Sequence, residues 1–232
     1  MIKNKEEISN EDYNFLMVRM RGLEETYKQC IDAKVRNIVK EKIFCEICIR
    51  FPTFFECYGD YFQQCKMSSL KEICDLIDLV NSKYVVKRMP YIREKQIMKI
   101  LKLKEKSLKA FVKDYNNAIE GKNLTYYSKK MDDKLVLLSQ HDGELIGAVT
   151  QGFSFKGNKE CLCYFCGKFR RGNEILFVTN SVRTAKGKYA SIGQTICSDF
   201  ELCNKNIEKK QNVIRFLSYG KQMKMLDKEI ER

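Results

Sequence analysis

The chain has 232 residues, 44% of them hydrophobic and 31% charged, with 11 cysteines and one histidine. That length buries a real core in one domain or two small ones, and the composition excludes a disordered chain. Its longest apolar runs, such as Leu135 to Leu138, are far too short to cross a bilayer, and Glu6 and Glu7 stand where a signal peptide needs apolar residues.

A cytoplasmic protein is therefore expected, and in that compartment the cysteines read as reduced thiols plus a metal site rather than as disulfides. The formal charge of +13 is unevenly placed. Residues 1–82 hold 12 Lys and Arg against 14 Asp and Glu, and residues 83–113 hold 11 against 2. Residues 114–150 hold 4 against 6, and residues 151–232 hold 16 against 8. Two basic segments flank a near-neutral one, a field that favours an acidic partner, either RNA or an acidic protein face.

The first half reads as helices. Ser9 offers an N-cap with Glu11 and Asp12 in the first turn, and Leu16, Met20, Leu23, Tyr27 and Cys30 follow at helical spacing. A second helix is predicted from about Ile31 to Ile49, ending ahead of Pro52. Ser69-Leu70-Lys71-Glu72 is a capping box before the stripe Leu70, Ile73, Ile77, Val80 and Tyr84. Pro90 is expected to open a fourth helix carrying Ile97, Met98 and Leu101, with Lys99 to Lys113 as its basic side. Four such helices predict a bundle over residues 1–115.

The period then changes. Leu135–Leu138 and Glu144–Thr150 predict two strands about a turn in which Gly143 takes a positive φ. Ile175–Thr179 predicts another strand after Arg171-Gly172-Asn173. From about Asn206 to Glu229 the tail reads as helix, with Val213, Phe216, Leu217 and Met223 as a candidate buried face. The expected class is α+β, with an α/β zinc-binding domain over residues 120–232.

The strongest chemical signal is Cys163-x2-Cys166-Gly167 paired with Cys197-x5-Cys203. Knuckle, hairpin and helix in that order describe a treble-clef finger closed around one Zn2+ by four thiolates. With no open coordination position the ion is structural, and its binding adds to folding free energy. Cys161 stands close enough to compete. Cys45-x2-Cys48 lies in an apolar helical stretch and reads as core packing, the alternative being a second metal site with Cys57 and Cys65. His141 falls in a predicted turn, and no catalytic constellation is visible, so a non-enzyme is expected.

The x5 spacing, unusual for a generic treble clef, resembles the FusB-type fusidic acid resistance proteins, also called elongation factor G-binding proteins. The resemblance rests on Cys163-x2-Cys166, Phe177, the loop Thr184-Ala185-Lys186-Gly187-Lys188-Tyr189, and Ile196-Cys197-Ser198-Asp199 leading to Cys203-Asn204. Upstream, Met89-Pro90 and the Lys-rich run from Lys99 resemble the family's proline-led helix. Leu124-Thr125-Tyr126-Tyr127 stands where close members carry a tryptophan, which marks this chain as divergent.

The resemblance implies a helical bundle followed by a zinc-finger domain, and a protein that binds elongation factor G and promotes its release from the ribosome. Contact residues implied by it are Lys186 and Tyr189, with Phe153, Phe155 and Phe216 as further candidates. The zinc would hold the Lys186–Tyr189 loop in shape for that contact. The alternative is a zinc-finger RNA-binding protein using the two basic segments on ribosomal RNA.

Overall fold

Ser9 caps the first helix as its sequence predicts: its hydroxyl accepts from the Asp12 N–H at 3.1 Å. The fold was described from a computed structural model covering residues 5–53, 69–101, 105–154, 157, 159–183 and 189–230. The chain divides into two compact units, Met1–Val86 and Lys87–Arg232.

In the first unit, α1 (Asn10–Gln29), α2 (Ala33–Arg50) and α3 (Leu70–Lys83) pack around Leu16, Met20, Leu23, Ile47, Ile73, Leu76 and Val80. Asp32 caps α2, and Ser69 and Glu72 close the capping box of α3 in both directions. Leu76, rather than Leu70, lies on the buried stripe of α3, while Leu70 at the first position faces outward. Two strands that the sequence reading did not foresee, β1 (Glu6–Ile8) and β2 (Tyr84–Val86), pair in parallel and join the start of the unit to its end. At three residues each, they are too short to show an alternating pattern.

The fourth predicted helix belongs elsewhere. It is two helices, α4 (Glu94–Leu101) and α5 (Glu105–Ala118), and both lie in the second unit. Pro90 does not open α4. The segment before it is held extended because Asn116 accepts from the Ile92 N–H at 3.0 Å and donates to the Ile92 carbonyl at 3.1 Å. The helix instead begins after Arg93, whose N–H is taken by the Gln96 side chain at 2.8 Å. Ile97, Leu101, Leu108, Phe111 and Tyr115 then bury themselves against Tyr127, Val136 and Leu138 of a sheet. The four-helix bundle over residues 1–115 is thus corrected to three described helices and a strand pair, with the division after Val86.

That sheet has the order β3-β4-β5-β8-β9, from Tyr126–Met131, Lys134–His141, Glu144–Ser154, Ile175–Arg183 and Tyr189–Cys197, all antiparallel. Asp142 and Gly143 take φ 48° and 78° in the tight turn between β4 and β5, the left-handed pair that a two-residue hairpin requires. Alternation then sorts the side chains. Val136, Leu138 and Val149 face α4 and α5. Leu135, Leu137, Ala148, Val178 and Ile196 face the other side, where α7 (Gln211–Ile230) packs with Val213, Phe216 and Leu217. Gly147 is needed between β4 and α4, since a Cβ there would stand 2.8 Å from the Leu137 carbonyl oxygen and 2.4 Å from Leu138 Cδ2. The predicted tail helix starts later than expected, at Gln211, because the short helix that carries the last cysteine, α6 (Phe200–Asn206), ends at Ile207 ahead of it. None of the described helices is long and apolar enough to cross a membrane.

Candidate metal centre

Two elements of the second unit bring the cysteines together. β6 (Glu160–Leu162) and β7 (Phe169–Arg171) pair in a short hairpin whose bend carries Cys163 and Cys166. Gly167 closes the bend at φ 67°, its N–H donating to the Cys163 carbonyl at 2.8 Å, and the Cys163 N–H donates to Lys168 O at 2.9 Å. The second pair straddles the end of β9 and the start of α6. Cys197 ends the strand, Asp199 caps the helix by accepting from the Leu202 N–H at 2.9 Å, and Cys203 follows within its first turn. In a Cys-x2-Cys finger the fourth ligand would fall at Phe200. Here it lies three residues on, one helical turn away on the same face, and the Phe200 ring packs edge-on against Tyr126 at 6.3 Å.

All four thiols are buried, and their sulfurs lie within 4.8 Å of one another. Cys163–Cys203 and Cys166–Cys197 are each 3.7 Å apart. A tetrahedron with Zn–S bonds of ~2.3 Å has edges of about 3.8 Å, so two of the sulfur pairs already stand at the spacing that one Zn2+ requires. The protonation chemistry points the same way. Hydrogen bonds from neighbouring thiols hold the Cys163 thiol well below the ordinary thiol range. Hydrogen bonds that Cys203 makes with its neighbours, and then burial, push its thiol well above that range. Four thiols this close cannot all ionise by themselves, and a divalent cation removes the conflict. Cys161 is half-buried and lies outside the cluster.

Two residues that the cysteine pattern does not reveal support this site. Tyr126 is fully buried beside it, its ring edge-on to Phe165 and Phe200, and its hydroxyl has no hydrogen-bond partner among the described residues. Burial, and then the neighbouring Cys203, hold its pKa well above the ordinary value. Because it removes a buried hydroxyl that has no partner, Tyr126→Phe is expected to leave zinc affinity unchanged and not to lower stability. Competition against a chromophoric chelator and a melting curve measure this, and a loss of affinity of about 10-fold or more would instead give the hydroxyl a role at the sulfurs. Asn204, next to Cys203, accepts from the Thr125 and Tyr126 N–H groups at 2.7 and 3.1 Å. It donates to the Tyr126 and Phe200 carbonyls at 3.0 and 2.9 Å, tying the ligand helix to the first strand of the sheet. The knuckle is tied in turn to α7, where Asn212 donates to the Tyr164 carbonyl at 2.7 Å. Under it, the Phe165 ring stacks edge-on to Tyr126 and Phe216 at 5.1 and 5.7 Å.

The other candidate residues scatter. Tyr189 opens β9 and is 77% exposed, while Phe153 on β5 is 54% exposed. Phe153 lies directly opposite Phe177, and both stand on the face that α4 and α5 cover over β3 and β4. Phe216 is fully buried beneath the knuckle, so its ring is core and not contact surface. Lys186 and Phe155 lie outside the described residues, as do Cys57 and Cys65 and the side chain of Met223. Cys48 packs against the N-terminal core, but Cys45 points to solvent, which corrects the reading of both as core. His141 stands at the β4–β5 hairpin tip, 3.4 Å from Asp142. Cys197 and Tyr189 occupy opposite ends of β9.

An α+β protein built around a four-cysteine treble-clef zinc finger is the class that fold and site define. The chain belongs to the family of the FBP C-terminal treble-clef zinc finger, whose model matches residues 116–232, just over half of it. The resemblance drawn from the cysteine spacing is thereby confirmed. A solved structure described as that of the fusidic acid resistance protein FusC shares the fold at a TM-score of 0.62 and 15% identity, over 92% of this chain and 96% of that one. No curated protein sequence matches the chain at a significant level.

Proposed function

We propose that this chain binds elongation factor G through its zinc-bearing unit, promotes the factor's release from the ribosome, and so protects translation against fusidic acid. The observation that carries this reading is the exposure of three aromatics on one face of the open part of the sheet. Phe153 and Phe177 stand paired across β5 and β8, and Tyr189 stands farther along at the far end of the β8–β9 hairpin, all presenting apolar rings to solvent. The likeness to FusC supports the same reading. Charge supports it as well. Residues 87–232 hold 30 Lys and Arg against 16 Asp and Glu, whereas residues 1–86 hold 13 against 14, so the whole net charge resides in the finger-bearing unit. Such a unit is steered toward an acidic partner.

The protein acts by binding and not by catalysis. To release a trapped factor it must bind the released form more tightly than the trapped one, because only differential affinity moves an equilibrium. In a pull-down with purified elongation factor G, Tyr189→Ala and Phe153→Ala are each expected to weaken retention about 30-fold or more, the scale of an aromatic hot spot. Lys186→Ala should weaken it less. Each variant should keep its zinc. No retention of the factor by the unmodified protein at micromolar concentration would sink the reading.

The same charge asymmetry favours one alternative, a zinc-finger protein that grips ribosomal RNA. Exposed Lys109 and Lys113 on α5 belong to its basic segment. Salt separates the two readings. Phosphate contacts would give a steep logarithmic loss of affinity with salt, of slope about −0.7 to −0.9 per contact, while an aromatic protein contact would give a shallow one.

A further inference from the structure

The sheet of the second unit is split. β5 runs from Glu144 to Ser154, yet it pairs with β8 only from Gln151 to Ser154, opposite Thr179 to Leu176. Residues 144–150 of β5 and 180–183 of β8 remain extended but diverge, and a cavity of about 620 Å³ opens between them. α7 contributes Leu217, Ser218 and Gly220 to its walls, and α4 contributes Ile100 and Leu101.

Both strands turn hydrogen-bonding edges into this opening. The two-residue turn makes His141 and Glu144 the closing hydrogen-bonded pair of the β4–β5 hairpin. Alternate residues of β5 then direct their amides to β4, which leaves Leu145, Gly147 and Val149 directed away from it, toward β8. The same alternation, counted from the Gln151–Thr179 pair, directs Ser181 and Arg183 back toward β5. Among the described residues no strand pairs with either stretch on the side that faces the cleft.

The charge around the opening is positive on balance, with Lys134, Arg183 and Lys221 against Glu144. Glu144 is already matched by Lys221 at 3.1 Å. Lys134 and Arg183 line the cavity with no carboxylate within ion-pair distance among the described residues, and the aspartates of the β3–β4 turn do not line it.

We infer that this cleft is a peptide-binding site that takes an extended acidic segment as an added strand between β5 and β8. Backbone pairing on two facing edges would supply affinity, and Lys134 and Arg183 would select carboxylate side chains. This site is separate from the exposed aromatics assigned above to elongation factor G, although Arg183 pairs with Tyr189 at its margin. It does not depend on that assignment.

The test uses the full-length zinc-loaded protein and a labelled, end-capped heptapeptide of alternating Val and Glu, with a Val/Lys counterpart. Fluorescence anisotropy reads binding, and amide hydrogen exchange followed by NMR reads where it occurs. The Val/Glu peptide should bind, and at saturation it should slow exchange at Leu145, Gly147, Val149, Ser181 and Arg183 about 10-fold or more. Lys134→Glu combined with Arg183→Glu should weaken binding at least ~10-fold, while the charge-matched pair Lys205→Glu and Lys209→Glu should not. The proposal is overturned if no peptide binds, if the Val/Lys peptide binds equally well, or if binding leaves those amides unprotected. It is equally overturned if an oligouridylate, and not the peptide, protects them. These outcomes are read without elongation factor G, so they stand apart from failure of the pull-down.

Discussion

Replacing Cys197 by serine should strip the zinc from this protein and unfold the second unit while leaving the first intact. The fourth thiolate is not a marginal contributor. A structural zinc in such a site carries about 10–16 kcal/mol of apparent binding free energy, as much as the entire stability of a typical domain, ~5–15 kcal/mol. Serine leaves three thiolates and a hydroxyl that ionises too weakly to replace the fourth, at a position where β9 ends and α6 begins. The cluster also contributes four buried side chains to the core that holds Val178, Ile196 and Phe216. Metal analysis should therefore fall from about one ion per chain to near none. Hydrogen exchange should lose protection across β3 to α7, while amides of α1 and α3, which have a core of their own, keep theirs. A Cys197→Ser chain that retains both zinc and native protection would overturn the assignment.

Asn204→Ala should be the most damaging change that touches no metal ligand. Its side-chain amide makes four hydrogen bonds, two accepted and two donated, and three of the four go to the backbone of Thr125 and Tyr126. Alanine would leave buried N–H groups without that acceptor, at about 1–3 kcal/mol each, for a total loss of about 3–5 kcal/mol. For a unit of this size that is roughly 10 °C in melting temperature. Asn206→Ala is the matched control. Asn206 is two residues along the same helix and donates once, to the Leu202 carbonyl on the exposed side, so its loss should cost under ~0.5 kcal/mol. Equal melting temperatures for the two variants would refute the role given to Asn204.

The metal site was legible because its determinants are local. Gly167 must follow the knuckle to reach a positive φ, Asp199 must cap the helix, and the four thiols announce themselves by spacing. Helix starts at Ser9 and Ser69 were legible for the same reason, since a cap involves residues three apart. What escaped was set by distant contacts. Pro90 carries a helix-start signal, but Asn116, on another element, bonds the backbone of Ile92 in the irregular segment after it. The stripe of Ile97 and Leu101 has the period of a bundle helix whether it packs on helices or on a sheet, and only Tyr127, Val136 and Leu138 decide the matter. Phe216 is similar. An aromatic on an amphipathic helix reads alike as core or as contact, and the ring of Phe165 beneath the knuckle made it core. The strand β3 was hidden by Ser128, Lys129 and Lys130, half of a pattern whose other half is Tyr126 and Tyr127.

Strand β9 carries Cys197 at one end and Tyr189 at the other, eight residues away. At about 3.4 Å per residue that separates the sulfur cluster from the exposed tyrosine by roughly 27 Å. The finger therefore acts as a fixed pivot and the β8–β9 hairpin as the arm that extends from it. Substitutions near Tyr189 can change what the arm touches without altering the pivot, and variants there are free to diverge in partner preference while the same four sulfurs keep the hairpin rooted.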